Sequence, residues 1–486
     1  MKSVAVVCLL ASVLLASCVS PAKPTAPGAA KAAAATQALD GIYDVEFHST
    51  WFGPLRTTMT AQAVPAGDGK PASFKANTRP GIAWDLVGGV QQVLGPILAP
   101  YIFPQGMLLT WQSTMPDPAS GTVGEGRIGI SKVGPFGAKT RMKDASGPVE
   151  IVFTDGRVIA VMAMHRRQDQ LAQVPPTADY AKLTDDIRDM TASRLFDPAI
   201  VAKSEFKEYF SEVREAAAKT CDDLEYSFAG GLAWRKYQSL PLPLAYRPVS
   251  EESRRVMGQA AKGVEPITFK MDEKTGIATI EVLAFEDAAA VGAIFAKMLE
   301  AKPKGLILDI RSCTGFDLSA LAAARWLIAG PVDAGLFVDA AHRNTLPDAT
   351  IPRDVIDSAQ AIARAHSRLK EQGCLGLQVL AGPKVYSGPV AVLTLGRTRS
   401  SAEVLAAVLK SRPSTRYFGA KTANRPRITF ERELPQGYVI RIPEYDWRGP
   451  GEKTIGTCEV RPDERCSKDQ APVKAQAWLL KIAGGA

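Results

Sequence analysis

The sequence predicts an α/β domain over residues 264–486, preceded by a helical segment at 178–250 and an all-β domain at 39–168. Strands and helices alternate in the first of these, and Lys304–Arg311 and Gly388–Leu395 are continuous apolar runs typical of strands covered on both faces. Short segments of strand character, separated by Gly, Pro and Asp, predict the all-β domain as a small sandwich or a barrel.

Period and punctuation predict the individual elements in chain order. The all-β domain should contain strands at Tyr43–Phe47, Leu55–Ala63, Ser73–Asn77, Met107–Gln112, Arg127–Ile130, Val149–Phe153 and Val158–Met164. Apolar residues at three- and four-residue spacing then predict helices at Ala178–Leu195, Pro198–Lys219 and Asp222–Tyr237. In the α/β domain we expect strands at Ile277–Phe285, Lys304–Arg311, Gly388–Leu395 and Thr415–Gly419, and helices at Ala288–Ala301, Leu318–Ile328, Ser401–Lys410 and Val473–Ile482.

Two further features complete the predicted α/β domain. Arg427–Glu433 and Gly437–Ile442 should pair as an appended β-hairpin around Pro435 and Gly437. The tract Asp333–Gly382 is predicted to be a long insertion with one helix near Val355–Gln372.

The first 18 residues have the pattern of an export signal. Lys2 gives a positive start, Val4–Leu15 is a short apolar core, and Leu15-Ala16-Ser17-Cys18 follows. This tetrad resembles a bacterial lipoprotein signal, with Cys18 as the lipidated residue; the alternative is an ordinary secretory signal. Residues 19–38 are almost all Ala, Pro, Lys, Thr and Gly, which predicts a tether. With Val19 rather than Asp after the cysteine, we expect a periplasm-facing lipoprotein held in outer-membrane lipid of a Gram-negative bacterium.

Composition argues against several classes of protein. The chain of 486 residues is 46% hydrophobic and 22% charged, which is ordinary for a folded soluble protein. The net charge of +8 comes without a run of Lys or Arg, so nucleic acid is not an expected partner. Seven cysteines and four histidines without paired CxxC motifs predict no metal site, and no cofactor motif is present.

The cysteines beyond the signal permit disulfides in an oxidising compartment. Cys458 and Cys466 are eight residues apart in a polar loop and are predicted to pair. The pairing of Cys221, Cys313 and Cys374 is left open, and none has an evident His partner that would make it a nucleophile.

The candidate site lies where buried strands lead into helices, because ligands of open α/β sheets bind at the carboxyl ends of strands. Two such turns stand out, Asp309–Gly315 and Gly396–Glu403. Ser400 in the second turn should expose its hydroxyl near helix N-terminal amides, which can stabilise an oxyanion. The alternative is structural: Ser400 and Glu403 also fit a capping box, in which both residues only close the helix.

Several motifs, in order, resemble the tail-specific, or C-terminal-processing, serine peptidase family over roughly residues 180–481. The matching pieces are ArgLeuPheAspPro at 194–198, the Asp309-Ile-Arg-Ser-Cys-Thr-Gly315 turn, TyrSerGlyProValAlaValLeu at 386–393, Thr398-Arg-Ser400-Ser-Ala-Glu403, Tyr417–Thr422, Leu434–Tyr438 and Val460–Asp463. No long segment separates the helices from the sheet, so the usual PDZ module is not expected, as in the tricorn and retinoid-binding-protein branch. The resemblance implies a crotonase-like α/β fold.

The resemblance also implies roles for named residues. Ser400 would be the nucleophile, the backbone amides of Gly315 and Ser401 would form the oxyanion hole, and Glu403 would support the helix start. The reaction would be hydrolysis of a peptide or protein substrate through an acyl-enzyme, with the substrate added as a strand beside the sheet.

The sequence departs from the family pattern at the general base. One branch uses Lys 25 residues after the serine, and this position holds Arg425, whose guanidinium stays protonated. The other branch uses a His after the helical segment, where this chain has Ser239-Leu240-Pro241. Lys421 and His342 remain as weak candidates. The sequence therefore leaves two hypotheses: a serine endopeptidase with an unrecognised base, or a catalytically silent relative that binds peptides or apolar ligands at the same place.

Overall fold

The computed structural model describes residues 40–49, 54–66, 70–78, 109–116, 120–130, 134–144, 147–152, 158–168, 176–237, 240–241, 244–262, 266–285, 287–313, 317–343, 351–450, 456 and 458–484. The predicted signal, the tether and Cys18 lie outside these residues. Within them, every helix is too short or too polar to cross a bilayer.

The N-terminal domain is a closed barrel of eight antiparallel strands, which confirms the predicted all-β domain. Its strands are β1 (Gly41–Ser49), β2 (Leu55–Val64), β3 (Ser73–Thr78), β4 (Leu109–Thr114), β5 (Gly124–Ile130), β6 (Gly134–Met142), β7 (Val149–Val152) and β8 (Val158–Arg166). Alternate residues such as Val45 and Met59 face a dry interior. Trp111 fills its middle and donates to Thr140 Oγ1 at 2.9 Å.

A helical segment follows the barrel. Its elements are α1 (Tyr180–Arg194), α2 (Pro198–Val201), α3 (Ser204–Ala217), α4 (Asp223–Lys236), β9 (Leu244–Tyr246) and α5 (Glu251–Lys262). The single helix predicted over Pro198–Lys219 is divided, because Lys203 is extended and ends α2 before α3 begins. Asp179 and Asp222 cap α1 and α4 by accepting main-chain N–H groups in the first turn.

The barrel packs directly on the helical segment. Asp222, which is 3% exposed, accepts from the hydroxyl of Thr57 at 2.9 Å and from Thr58 N at 3.4 Å. Glu46 of β1 accepts from Ser250 N at 2.8 Å, just before α5. Val161 of β8 and Met257 of α5 are buried in one apolar cluster at this junction.

The α/β domain contains two six-stranded sheets around one core. In chain order its elements are β10 (Ile267–Asp272), β11 (Ile277–Val282), α6 (Ala288–Glu300), β12 (Gly305–Asp309), α7 (Ala320–Ala324), β13 (Val332–Val338), β14 (Arg353–Ile356), α8 (Ala359–Gln372), β15 (Cys374–Val379), β16 (Val390–Thr394), α9 (Ser401–Leu409), β17 (Thr415–Gly419), β18 (Ile428–Leu434), β19 (Tyr438–Arg448), β20 (Glu464–Arg465) and α10 (Gln470–Gly484). The mixed α/β class is thereby confirmed, whereas the crotonase-like description stays a prediction.

The first sheet has the order β10-β11-β12-β16-β17-β20 and is parallel from β11 onward. Every residue of β12 and β16 is buried, as their apolar runs predicted. One face packs on the core that holds α6, α7 and α9, and α10 covers the other through Ala475 and Leu479.

The second sheet corrects the prediction of a long insertion. Its strands are ordered β14-β15-β13-β19-β18, with β9 beside β19. The hairpin strands β18 and β19 pair as predicted, but β19 continues to Arg448 and there pairs with β13. The tract after Asp333 is therefore three strands and a helix of the same domain. Local pattern missed this sheet because its pairings join strands about a hundred residues apart.

The buried Asp222 predicts a pH dependence of stability. Burial raises its pKa to about 7, above the value of about 3.9 for an unfolded Asp. Between these pH values the folded chain holds a proton that the unfolded chain has lost, so this contribution to stability falls as pH rises from about 4 to about 7. Asp222→Asn should lose less stability than wild type in urea unfolding between about pH 5 and about pH 8.

The matched control for this measurement is Asp287→Asn. Asp287 caps α6 as Asp222 caps α4, but it is exposed. It should keep the wild-type pH dependence. Equal slopes for the two Asn variants would contradict a proton held on Asp222.

Candidate active site

Ser400 stands at the turn between β16 and α9, where the sequence predicted it. Its φ of 61° and ψ of −133° place a non-glycine residue in a region that glycine prefers. Such a conformation costs on the order of 1–3 kcal/mol and persists only where the surroundings impose it. The residue is 8% exposed.

Main-chain atoms of the segment before β18 hold Ser400. Its N–H donates to Arg425 O at 3.1 Å, and its hydroxyl donates to Arg427 O. Its own carbonyl accepts from Glu403 N at 2.9 Å. Although Ser400 occupies the N-cap position of α9, its hydroxyl makes no capping bond, so the reciprocal capping box is not formed.

Thr398 ties this turn to the other candidate turn. Its hydroxyl donates to Ile310 O at 2.8 Å and accepts from Leu395 N at 3.0 Å. Arg399 N donates to Cys313 O at 3.3 Å. The two turns after β12 and β16 are thus adjacent, as expected for neighbouring parallel strands.

Glu403 is fully buried and binds the chain 21 and 22 residues further on. Its two carboxylate oxygens accept from Asn424 N at 2.7 Å and from Arg425 N at 2.8 Å. Burial raises the pKa of Glu403, and hydrogen bonds from Thr422 and these two N–H groups partly oppose the rise. Glu403 therefore supports the site, but by fixing a remote segment rather than by capping α9.

Guanidinium groups surround this turn, a feature that the sequence analysis did not single out. The Arg427 guanidinium lies 4.2 Å above the ring of Phe196, and Arg343 lies 5.5 Å from the same ring. Burial lowers the pKa of Arg427, and Arg425 and Arg343 lower it further. Burial likewise lowers the pKa of Arg399, with Arg425 and Arg397 adding to the effect. Phe196 belongs to the ArgLeuPheAspPro motif, so this motif reaches the site from the helical segment.

Neither predicted base candidate contacts Ser400, although both are described by the structure. Lys421 Nζ lies 2.8 Å from Glu459 Oε2 on the surface, with its side chain 69% exposed. His342 Nδ1 pairs with Asp339 Oδ1 at 2.8 Å in the loop after β13. Among the residues that the structure places, no Lys or His nitrogen forms a hydrogen bond with the Ser400 hydroxyl.

Two other histidines have structural partners. His165 Nε2 lies 2.6 Å from Ser253 Oγ, and its Nδ1 lies 3.5 Å from Glu252 Oε1. This resembles a catalytic triad in outline, but Ser253 is fully buried between β8 and α5 and no substrate reaches it. His366 stacks on Phe430 at 4.1 Å, and burial lowers its pKa to about 4.

The predicted oxyanion donors are only half described. Gly315 lies outside the described residues. Ser401 is 2% exposed at the first position of α9, and its hydroxyl has no hydrogen-bond partner among the residues given. The described part of the chain also holds no group of three or more potential metal ligands.

The predicted disulfide between Cys458 and Cys466 is wrong. Cys458 Sγ lies 3.6 Å from Glu403 O, whereas Cys466 Sγ lies 3.6 Å from Glu464 O, and both are thiols. The eight-residue spacing suggested a local loop, but the chain between them passes β20, which pairs with β17. That pairing directs the two side chains to different carbonyls.

Comparison with known proteins gives one family and several structural likenesses. Residues 276–466 match peptidase family S41. A lipoprotein from Streptococcus agalactiae is 17% identical, with 64% of this chain and 99% of that chain covered and a TM-score of 0.40. The photosystem II D1 C-terminal processing protease is 13% identical, with coverages of 63% and 98% and a TM-score of 0.34. The tricorn protease is 10% identical, with coverages of 87% and 46% and a TM-score of 0.39. No curated protein matches the chain significantly.

An α/β domain with a strained serine at a strand-to-helix turn is the arrangement of a serine-hydrolase scaffold. The matched residues run from before β11 through β20 and include Ser400, Glu403 and Arg425. The α/β domain of this chain therefore belongs to peptidase family S41, and the resemblance found in the sequence is confirmed at the level of the family.

Backbone strain at Ser400 can be measured by comparing two substitutions. Ser400→Gly and Ser400→Ala lose the same hydroxyl, but only Gly relieves the positive φ, so Ser400→Gly should be the more stable by about 1 kcal/mol in urea unfolding. At Ser401, the first residue of α9, the order should reverse, because Gly is less favourable than Ala in a helix. The same order at both positions would contradict strain at Ser400.

Proposed function

We propose that this chain binds peptide segments of other proteins at the Ser400 turn without hydrolysing them through a base of its own. Membership of a peptidase family supports a peptide or protein ligand. The observation that carries the proposal is the environment of the hydroxyl: it donates to the carbonyl of Arg427, and Arg425 occupies the position of the family's lysine.

The chemistry of the nucleophile gives this observation its weight. A serine hydroxyl attacks a peptide carbonyl only when a neighbouring group takes its proton. A main-chain carbonyl is too weak a base, and a guanidinium has no lone pair to accept the proton. General-base assistance contributes roughly 10²–10⁴-fold to a reaction rate. Without it, Ser400 stays a hydrogen-bond donor.

A serine endopeptidase is the second candidate, and the backbone of Ser400 favours it. Strained conformations concentrate at catalytic residues, and this one lies at the start of α9, where main-chain amides point outward. In this version Ser400 forms the acyl-enzyme, and Ser401 N–H with Gly315 N–H binds the oxyanion. The proton acceptor then has to come from a rearranged side chain or from the substrate.

Labelling with a fluorophosphonate separates the two candidates. Wild type should label no more than Ser400→Ala, because its hydroxyl lacks a base. Arg425→Lys restores an amine at the family's base position and should raise labelling at least about tenfold. Adding Ser400→Ala to Arg425→Lys should abolish the gain.

Arg461→Lys is the matched control, since Arg461 is 81% exposed beside Glu459. It should label as wild type does. Wild-type labelling that equals Arg425→Lys and is lost in Ser400→Ala would favour the peptidase. A fluorescein-labelled unfolded casein, followed by anisotropy, should bind to wild type without being cleaved.

We further propose that the chain is exported and acylated at Cys18, facing the periplasm from the outer membrane. The short apolar core and the Leu15–Cys18 tetrad support this. Several acyl chains would anchor the protein firmly, since each buried methylene adds about 0.8 kcal/mol. The tether at 19–38 would then separate the barrel from the bilayer.

Incorporation of radiolabelled palmitate tests the anchor. Cys18→Ser should remove the label from the chain expressed in a Gram-negative host, because the acceptor thiol is gone. Cys8→Ser, within the apolar core, should keep it. Equal labelling of both variants would exclude Cys18 as the lipidated residue.

A further inference from the structure

A cavity of about 460 Å³ lies at the junction of the barrel and the helical segment. The barrel lines it with Asp44, Glu46 and Arg56, and Arg167 follows the last strand. Asp222 and Arg247 line it from the helical segment. Its volume is within the range of small-molecule sites, and it belongs to neither the Ser400 turn nor its neighbours.

Asp222 brings a buried carboxylate to this cavity. Its Oδ2 accepts from Thr57 and Thr58, and its Oδ1 accepts from Glu225 N at 2.9 Å. A carboxylate offers about four acceptor positions, so one remains on Oδ1. In the described part of the chain no Lys, Arg or His nitrogen forms an ion pair with it. A buried carboxylate in this state favours a cationic hydrogen-bond donor.

Two guanidinium groups bring unused donors to the same cavity. Arg247 Nη2 donates to Tyr438 Oη at 2.9 Å, but its buried Nε has no acceptor. Arg56 Nη2 donates to Pro248 O at 2.8 Å, while its buried Nε makes no hydrogen bond and lies 3.4 Å from Glu46 Oε1. A buried N–H without an acceptor costs free energy, which an anionic oxygen in the cavity would recover.

We propose that this cavity binds a small zwitterion with an ammonium group and a carboxylate, as in a free amino acid or a short peptide. The ammonium donates to Asp222, and the carboxylate accepts from Arg247 and Arg56. A lone anion would lie against Asp44, Glu46 and Asp222, and a lone cation would lie against three guanidinium groups. A ligand with both charges meets each sign with its opposite. This site is separate from the proposed function at Ser400.

Isothermal titration calorimetry on the full-length chain in detergent tests the proposal. L-alanine and L-alanyl-L-alanine are the zwitterions, and the tighter of the two decides between an amino acid and a peptide. N-acetyl-L-alanyl-L-alanine lacks the ammonium and L-alanyl-L-alaninamide lacks the carboxylate. Each blocked form should bind at least about tenfold more weakly than the dipeptide, because one charge-assisted contact is lost.

Two variants assign the contacts within the cavity. Asp222→Asn and Arg247→Gln should each weaken dipeptide binding at least about tenfold, whereas Arg461→Gln, on an exposed surface, should leave it unchanged. If Asp222→Asn fails to fold, Arg247→Gln still answers, with circular dichroism confirming its fold. No binding of either zwitterion up to about 10 mM, or equal binding of zwitterion and blocked forms, would overturn the proposal.

Discussion

The candidate site depends on one buried carboxylate, that of Glu403. An ionised group is costly to bury unless hydrogen bonds replace its water, and here two consecutive main-chain N–H groups do so. Holding Asn424 and Arg425 in this way fixes the segment that leads into β18. The same segment supplies the two carbonyls, of Arg425 and Arg427, that accept from Ser400. The strained conformation of Ser400 is therefore maintained by a residue three positions away through a segment more than twenty positions away.

The elements that follow from local pattern could be predicted from the sequence. The buried strands β12 and β16 are continuous apolar runs, and α9 begins at Ser401 because Ser400 and Glu403 mark a helix start. The same marks misled the interpretation of the site. A capping box is a local interaction, whereas Glu403 binds main-chain groups across the turn, and no sequence spacing indicates which N–H groups a buried carboxylate meets.

The second sheet and the arginine environment were missed for a related reason. Phe337 of β13 pairs with Trp447 of β19, which lies 110 residues later, so neither strand shows its partner in the sequence. Gly335 has a positive φ and its missing Cβ leaves room for Arg448 O, an approach that only the assembled sheet explains. Phe196 comes from the helical segment, and the Arg427 guanidinium stacks on it only after the two parts of the chain have packed.

The start of α4 joins the three parts of the described chain. Asp222 faces the barrel and accepts from Thr57, while the next residue, Asp223, accepts from Tyr180 at 2.8 Å and from Tyr438 at the start of β19. Because β19 pairs with β18, and β18 begins directly after Arg427, a continuous series of contacts leads from the barrel cavity to the acceptor of the Ser400 hydroxyl. Continuity alone is not coupling, which requires an element with two arrangements that both sites bias. The adjacent carboxylates are the place where such an element would have to lie, since a shift of the α4 N-terminus moves both contacts together.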